Sequence, residues 1–428
     1  MIRGIGAGVL TLVQLVCASA AAQAEPGAVT LEALLEHAEQ HSPTMSVARA
    51  TSERWRADEA AAEAPVPSDP QLQVAVGPRL RGDASDVDVS LQLRQRLEIA
   101  GEPGVRREVA RRSRERQQGQ LELAWYELHH AVHSAYHRAL VARERVGVAQ
   151  RMLAFDERLE AIARRRVELG EDSPLTVSVA ELERLRAQQR LTHEQHGYLD
   201  ARLQLAELTG WPSEPPPAPI GALEPPRRAP PVATLVALAR EHGPQLAMLR
   251  ATAAEARARA TLADREGWPE PAVGLNYQLE GAPGEGAREH QILGVLSFPF
   301  PFFHRNPVGR ANAEVDLEVA RAEESAADLT LPVRVRRLAA TTDAAAEQLE
   351  RYRDELLPTV ERQLGQLEEA FRIGELDVLR VARGRELVLD TQLEALVAYA
   401  EYYDAVAALA DALGVDPWPD AHHQEPRR

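Results

Sequence analysis

Hydrophobic and polar positions along this chain follow two different periods. Residues 71–76 and 86–95 alternate apolar and polar side chains, a pattern typical of strands with one buried face. We expect two further strands at 272–279 and 290–298, although apolar residues occur on both faces of the last one. Elsewhere apolar residues recur every three or four positions over very long stretches, which predicts helices that pack along a heptad seam.

The first long helical pattern runs from Val105 to Leu169 without a proline. Its roughly 65 residues, at about 1.5 Å each, would make about 100 Å of helix, more than a compact domain needs. Its seam is expected at residues that step by four and three: Leu128, Val132, Ala135, Ala139, Ala142, Val146, Ala149 and Leu153.

A second helical pattern, from Leu175 to Leu208, is expected to return along the first. Its seam is predicted at Leu182, Leu185, Leu199, Leu203 and Ala206. Another long pattern runs from Val308 to Ile373, where Pro332 and Pro358 predict bends or local breaks.

Two sharp breaks interrupt these patterns, at Gly170 and at Gly374. Each is followed by a further helix that ends at a glycine, Gly210 or Gly414. We interpret residues 170–174 and 374–377 as the tips of two long antiparallel helical hairpins.

The two halves of the chain repeat one another, which indicates a tandem duplication of helix, two strands and long hairpin. The first repeat covers 25–210 and the second covers 232–414. A linker at 211–231 is rich in proline and is predicted to be stiff and extended. The tail at 415–428 is polar and predicted to be loose. A constant offset of 204 positions relates several residues of the first repeat to identical residues in the second: Gly170, Glu171, Tyr198, Ala201, Leu205, Ala206 and Gly210.

Residues 1–24 have the organisation of a secretory signal. Arg3 precedes an apolar run from Ile5 to Val16, and Ala22-Gln23-Ala24 provides a cleavage site. An uncleaved anchor or an ordinary N-terminal helix is the alternative. The only cysteine is Cys17, inside this segment, and Val16 before it disfavours lipidation.

Composition excludes several classes of function. The net charge of −16 argues against a nucleic-acid partner, because phosphate binding requires a basic surface. The sequence has no glycine-rich phosphate loop, no nucleophile elbow and no carboxylate pair placed for catalysis. We therefore expect neither an enzyme nor a cofactor.

Several motifs, in this order and duplicated, resemble the outer-membrane efflux protein family, the TolC-like exit ducts of bacterial export systems. The resemblance covers about Thr30 to Gly414. It is carried by the His-x-Pro helix openings, Pro67-Ser68-Asp69-Pro70, Gln95-Arg96-Leu97-Glu98-Ile99-Ala100-Gly101, Phe298-Pro299-Phe300-Pro301-Phe302-Phe303-His304-Arg305-Asn306, Leu356-Leu357-Pro358 and the tip Gly374-Glu375-Leu376-Asp377-Val378-Leu379.

This resemblance implies a mainly α fold with a small β part. Four strands from each chain of a homotrimer would form a 12-stranded transmembrane β-barrel in outer-membrane lipid. The long helices would form a periplasmic tube, with the proline-rich linker near its equator. The tips would face an inner-membrane pump and its periplasmic adaptor, also called a membrane fusion protein.

The resemblance also implies roles for residues at the tips. Asp377 lies where family members place an acidic ring that would select cations. Arg380 replaces a second acid of that ring, and Thr176 occupies the corresponding position in the first repeat. The alternative for Asp377 is an acid placed for the dipole of a helix N-terminus. Adaptor contact is expected at Arg166, Gly170, Glu171, Asp172, Ser173, Pro174, Gly374 and Glu375.

Three histidines share one helix face at four-residue spacing: His129, His133 and His137. This spacing is common among metal ligands, although a solvated or pore-facing helix surface is the simpler interpretation.

Function is expected to be passive conduction of substrate through the outer membrane. The Glu98-Ile99-Ala100-Gly101 and Phe303-His304-Arg305-Asn306 stretches resemble most the heavy-metal (cobalt–zinc–cadmium type) efflux branch. Multidrug efflux and type I secretion remain open within the family. A periplasmic adaptor and a structural coiled-coil protein are the alternatives outside it.

Overall fold

A computed structural model describes residues 26–63, 68–81, 84–281, 288–300 and 305–418 of the chain. The predicted signal at 1–24, Pro67, residues 301–304 and most of the predicted tail lie outside these described residues.

The first repeat contains three short helices, two long strands and a helical hairpin. In chain order its elements are β1 (Ala28–Val29), α1 (Leu31–His41), α2 (Pro43–Ser52), α3 (Trp55–Glu63), β2 (Gln71–Arg81), β3 (Ala84–Arg96), α4 (Glu102–Glu168) and α5 (Pro174–Thr209).

The linker and the second repeat follow with a similar order. Their elements are β4 (Ala218–Pro219), α6 (Val232–His242), α7 (Pro244–Arg265), β5 (Ala272–Gly281), β6 (Arg288–Ser297), α8 (Pro307–Arg351), a π-helical turn (Tyr352–Leu356), α9 (Leu357–Arg372) and α10 (Val378–Leu413).

The four long strands form one antiparallel sheet in the order β2-β3-β5-β6. All four lie where alternation predicted them. β2, β3 and β5 are longer than predicted, while β6 is shifted and ends at Ser297. The alternation of apolar and polar residues is weaker near strand ends, because residues close to a turn do not have to place successive side chains on an apolar and a polar face.

Strand pairing assigns the two faces of this sheet. Leu72 pairs with Leu93, and Leu93 pairs in turn with Leu275, so one face is apolar across three strands. Ile292 pairs with Tyr277 and lies on this face, whereas Leu293 lies on the polar face opposite Asn276. The ambiguity of the fourth strand is thereby settled. Apolar-face side chains remain exposed in the single chain, including Leu72, Val74, Val76, Leu93, Leu275, Ile292 and Leu296.

The chain divides into two compact units. Unit 1 contains Met1–Pro43, Leu128–Arg228 and Thr342–Ala407. In it, α4, α9 and α10 share a buried cluster centred on Met152 and Leu389. A second cluster joins the ends of both hairpins around Phe155 and Phe371.

The proline-rich linker is anchored within unit 1. β4 pairs in parallel with β1, Ala28 opposite Ala218. Tyr403 accepts a hydrogen bond of 2.6 Å from the Glu224 amide, and Tyr402 accepts one of 2.7 Å from the Arg227 amide. The extended linker is thus held by backbone pairing and by tyrosine hydroxyls.

Unit 2 contains Thr44–Glu127, Ala229–Thr341 and Ala408–Arg428, and it includes the four-stranded sheet. Its buried cluster joins α6, α8 and α10 through Leu235, Val335 and Leu409. Arg116 and Glu255 form an ion pair between α4 and α7.

Equivalent glycines allow the same close approach in both repeats. Gly210 and Gly414 have left-handed backbone conformations, with φ of 72° and 70°. A Cβ at Gly210 would collide with the carbonyl oxygen of His41, and one at Gly414 with that of His242. Only glycine avoids both the steric and the conformational cost.

The predicted helix seams are partly wrong. In α4 four predicted seam residues are buried, namely Leu128, Val132, Ala139 and Ala149, whereas Ala135, Ala142, Val146 and Leu153 are only half-buried. Val148 and Met152, which were not predicted, are buried as well. In α5 only Ala206 of the predicted seam is buried. The other four predicted residues are exposed, namely Leu182, Leu185, Leu199 and Leu203, while Ala180, Ala187, Leu191 and Leu205 are buried. α5 carries two apolar stripes, and the stripe that begins with two alanines packs inward because small side chains let helices approach closely.

Prolines act differently at two positions of the second hairpin. α8 continues through Pro332, so the helix is not broken there. Pro358 follows the π-helical turn directly, within a backbone that stays helical from α8 into α9, and the irregular turn accommodates its missing N–H. The helix is therefore irregular at Pro358 as predicted.

Candidate functional site at the hairpin tips

The first tip begins where α4 ends and Gly170 turns the chain, with a φ of 77°. The Glu171 amide donates a hydrogen bond of 2.9 Å to the Arg166 carbonyl. The Ser173 hydroxyl caps α5 by accepting from the Leu175 amide at 3.3 Å, and Pro174 occupies the first helical turn.

Asp172 organises this tip from inside the turn. One carboxylate oxygen accepts hydrogen bonds from the Ser173 amide at 2.8 Å and from the Thr176 hydroxyl at 2.6 Å. The Thr176 hydrogen bond is the main cause that lowers the pKa of Asp172. Asp172 was predicted to contact the adaptor and Thr176 to line the pore. The structure shows that these two residues are hydrogen-bonded to each other.

The second tip repeats the turn but has a different cap. Gly374 has a φ of 83°, and the Glu375 amide bonds to the Ala370 carbonyl at 2.9 Å. Asp377 accepts a hydrogen bond of 2.9 Å from the Arg380 amide, and the Arg380 side chain lies 3.4 Å from its second oxygen. Asp377 is therefore placed as the N-cap of α10.

Both charged groups at this cap remain accessible. The side chain of Asp377 is 57% exposed and that of Arg380 is 71% exposed. A capping carboxylate can still present charge to solvent, so capping and a pore role are compatible at Asp377.

Arg166 joins the two tips. Its guanidinium donates a hydrogen bond of 3.0 Å to the Phe371 carbonyl and lies 5.4 Å from the centre of the Phe371 ring. It also lies 3.5 Å from the Asp172 carboxylate. The Arg166 side chain is only 15% exposed. This residue therefore packs between the tips, where little of it is available to a partner protein.

A buried ionic network that the sequence did not predict lies just behind the tips. The Arg385 guanidinium is 3.2 Å from Asp156 and 2.6 Å from Glu183, so it links α10 to both arms of the first hairpin. Asp156 is 1% exposed, and burial raises its pKa to about 6 despite the Arg385 charge. The neighbouring Glu160 pairs with Arg184 at 2.6 Å.

The histidine face of α4 is packed inside unit 1. His129 lies 3.0 Å from the Glu39 carboxylate of α1, and the His137 ring stacks on Tyr403 with centroids 3.7 Å apart. Burial lowers the pKa of His133 to about 4 and that of His137 to about 3. Burial thus favours the neutral form of His133 and His137, and the His137 ring packs on Tyr403.

Among the described residues, no group of three or more histidine, cysteine or acidic side chains is arranged to hold a metal ion. No helix in this part of the chain is long and apolar enough to cross a bilayer.

A duplicated pair of long helical hairpins, combined with one four-stranded sheet that exposes its apolar face, defines the class of outer-membrane export channels. A sequence model of the outer membrane efflux protein family matches residues 34–211 and 235–415. The chain belongs to this family.

Individual relatives show the same relationship. The cobalt-zinc-cadmium resistance protein CzcC of Cupriavidus metallidurans is 24% identical over 351 residues, which cover 80% of this chain and 82% of CzcC. The solved structure of CusC matches with a TM-score of 0.71 and 15% identity, covering 90% of this chain and 92% of CusC. The outer membrane protein VceC of Vibrio cholerae matches with a TM-score of 0.70 and 16% identity, covering 90% and 96%. The likeness to these solved structures establishes the fold.

Proposed function

We propose that three copies of this chain form the outer-membrane exit duct of a tripartite efflux system that exports divalent metal cations. The observation that carries the proposal is the sheet, whose order leaves β2 and β6 as open edges beside an exposed apolar face. Unpaired edge groups are very costly in lipid. Joining copies edge to edge would pair these groups and leave the apolar face toward outer-membrane lipid.

Both tips are suited to contact a protein partner. Each carries exposed large apolar side chains, Leu169 at 55% and Leu175 at 69% in the first, Ile373 at 55% and Leu379 at 65% in the second. Such side chains beside charged residues are typical of protein-binding surfaces. The partners would be a periplasmic adaptor and, through it, an inner-membrane pump.

The two tips would meet the adaptor differently. The first contributes Glu171, Ser173 and Pro174, while the second contributes Glu375 beside an exposed Asp377 and Arg380. In a homotrimer, three Asp377 carboxylates at one level would favour cations at the entrance. Substrate would pass without a chemical step, because energy comes from the inner-membrane partner.

The substrate assignment is supported by the relationship to CzcC, whose name states cobalt, zinc and cadmium resistance. Deleting the gene should sensitise the host to these three cations, with little change toward cationic dyes. Wild-type protein should restore growth on metal. Sensitivity to dyes alone would contradict the metal assignment and favour multidrug efflux.

Assembly needs a separate measurement. Native mass spectrometry of the detergent-extracted protein should give a mass of three chains. A single-chain mass would contradict the trimer whatever the metal phenotype is.

A further inference from the structure

One of two equivalent helix seams is made within the chain. Met152 of α4 and Leu389 of α10 are buried to 1% and 2% exposure in the same cluster. Met152 precedes the tip glycine Gly170, and Leu389 follows the tip glycine Gly374. This seam therefore joins the outgoing arm of the first hairpin to the returning arm of the second.

The duplication places counterparts of both residues at the other hairpin. Leu356 lies as many residues before Gly374 as Met152 lies before Gly170. Likewise, Leu185 lies as many residues after Gly170 as Leu389 lies after Gly374. Leu356 and Leu185 are both exposed large apolar residues, at 44% and 48% respectively. The second equivalent seam is therefore not formed within one chain, although the two residues that would form it, Leu356 and Leu185, both lie exposed on the surface.

Charges beside the two seams are reversed as a pair. Next to the internal seam, exposed positions 151 and 390 carry Arg151 and Asp390. The equivalent positions under the repeat offset carry Glu355 and Arg186, which are also exposed. Each seam is thus flanked by one cation and one anion. In the first seam the outgoing arm carries the cation, and in the second the outgoing arm carries the anion, so opposite charges still face each other.

Other equivalent positions have become polar. The counterparts of Leu393, Leu396, Phe155 and Leu159 are Gln189, Thr192, Thr359 and Gln363, all exposed. A small apolar centre with a polar rim is typical of a protein–protein interface that is exposed to solvent before the copies associate and buried afterwards.

We propose that Leu185 of one copy packs against Leu356 of the next copy, with Arg186 of the first facing Glu355 of the second. This contact repeats between copies the seam that Met152 and Leu389 make within each. It joins two different surfaces, so successive copies form a head-to-tail ring that three copies can close. The inference rests on the homotrimer proposed above and identifies which surfaces meet in it.

Cysteine cross-linking tests the register directly. The only native cysteine is Cys17, within the predicted signal, so an engineered pair would be read against a clean background. Leu185→Cys with Leu356→Cys should give reducible dimers and trimers on denaturing gels after oxidation, because a disulfide requires Cβ atoms about 4 Å apart. The matched control is Leu185→Cys with Leu379→Cys, since Leu379 is also an exposed leucine.

A charge exchange provides a second test. Arg186→Glu alone should weaken association of copies by roughly fivefold per interface, the scale of one exposed ion pair. Combining Arg186→Glu with Glu355→Arg should restore it. Circular dichroism of each variant checks that the helices remain folded.

The outcomes separate this inference from the trimer itself. If native mass spectrometry shows three copies but the cysteine pair does not cross-link, or cross-links no better than the control, the proposed contact is wrong and the trimer stands. Failure of the double charge exchange to restore association contradicts the contact in the same way. A single-chain mass contradicts the trimer.

Discussion

The Arg166 guanidinium holds the Phe371 carbonyl at 3.0 Å and lies against the Phe371 ring, so one side chain joins two tips that are far apart in sequence. Asp172 lies on the other side of the same guanidinium, at 3.5 Å. Arg166 is therefore one of the contacts that hold the two hairpin tips together, beside the buried cluster around Phe155 and Phe371.

Replacing Arg166 should let the tips separate. Arg166→Gln removes a partly buried charged hydrogen bond, about 1.5 kcal/mol or roughly tenfold in a local opening equilibrium. Hydrogen exchange at residues 166–176 and 370–377 should accelerate accordingly. Arg165→Gln is the control, because Arg165 is 69% exposed and pairs at 3.3 Å with Glu168 of its own helix. Equal acceleration in both variants would contradict the role of Arg166.

Charge and cap can be separated at Asp377. Asp377→Asn keeps a good N-cap but removes the carboxylate, whereas Asp377→Ala also loses the cap, about 1 kcal/mol of helix stability. We expect both variants to lower the cation preference of reconstituted channels, measured from reversal potentials in a salt gradient. Arg380→Gln should shift preference the opposite way, because it removes the cation beside Asp377. Unchanged selectivity in the Asn variant would rule out a role for Asp377 in the pore.

Asp156 should make stability depend on pH near the tips. Its folded pKa, about 6, lies above the ordinary value of 3.8 because of burial. The folded state therefore holds the proton more tightly, and this group's contribution to stability falls as pH rises from about 4 to about 6. A shift of this size corresponds to about 3 kcal/mol.

Asp156→Asn should remove that dependence, since Arg385 retains Glu183 at 2.6 Å. The variant's thermal midpoint should gain on wild type as pH increases from 4.5 to 7. Asp390→Asn, an exposed acid on the same helix as Arg385, should show no such gain. A constant difference across this range would contradict a raised pKa at Asp156.

His137 should act in the opposite direction. Burial lowers its folded pKa from 6.5 to about 3, so stability is present at neutral pH and is lost as pH falls below about 6.5. At pH 5 the loss is about 2 kcal/mol. His137→Phe keeps an aromatic ring for Tyr403 and should resist acid better than wild type, judged by thermal unfolding at pH 5 and 7.5. His193→Phe, an exposed histidine on α5, should not.

Glycines with similar backbone angles should differ in cost. Gly170→Ala faces open space, so only the left-handed conformation is penalised, about 1 kcal/mol. Gly210→Ala also forces a Cβ against the His41 carbonyl, which adds about 1–3 kcal/mol. Denaturant unfolding of the two variants should rank them in this order. Equal destabilisation would mean that the α1–α5 contact relaxes freely.

Sequence periodicity predicted the strands and hairpins because burial on one face imposes a repeat on each element. Periodicity predicted the wrong stripe of α5 as the buried one, because both apolar stripes of this helix follow the same helical period. Leu185 is exposed and Ala187 is buried, and only the packing of α4 against α5 distinguishes them.

Charged contacts were the hardest features to predict. Asp156 and Arg385 lie in different hairpins, and nothing in their local sequence indicates which of many acids meets which arginine. The His129 partner, Glu39, comes from the short helix α1 and not from the returning arm of the hairpin. In both cases the only indication in the sequence was an ionisable residue among neighbours that are predicted to be buried.

The pairing of Ala28 with Ala218 has a consequence for biogenesis. A chain that enters the periplasm from its N-terminus exposes its first strand long before residue 218 has crossed the inner membrane. Strand β1 then has no partner until β4 has emerged, and β3 waits over a similar length of chain for β5. We therefore expect the first repeat to remain incomplete until part of the second repeat has emerged.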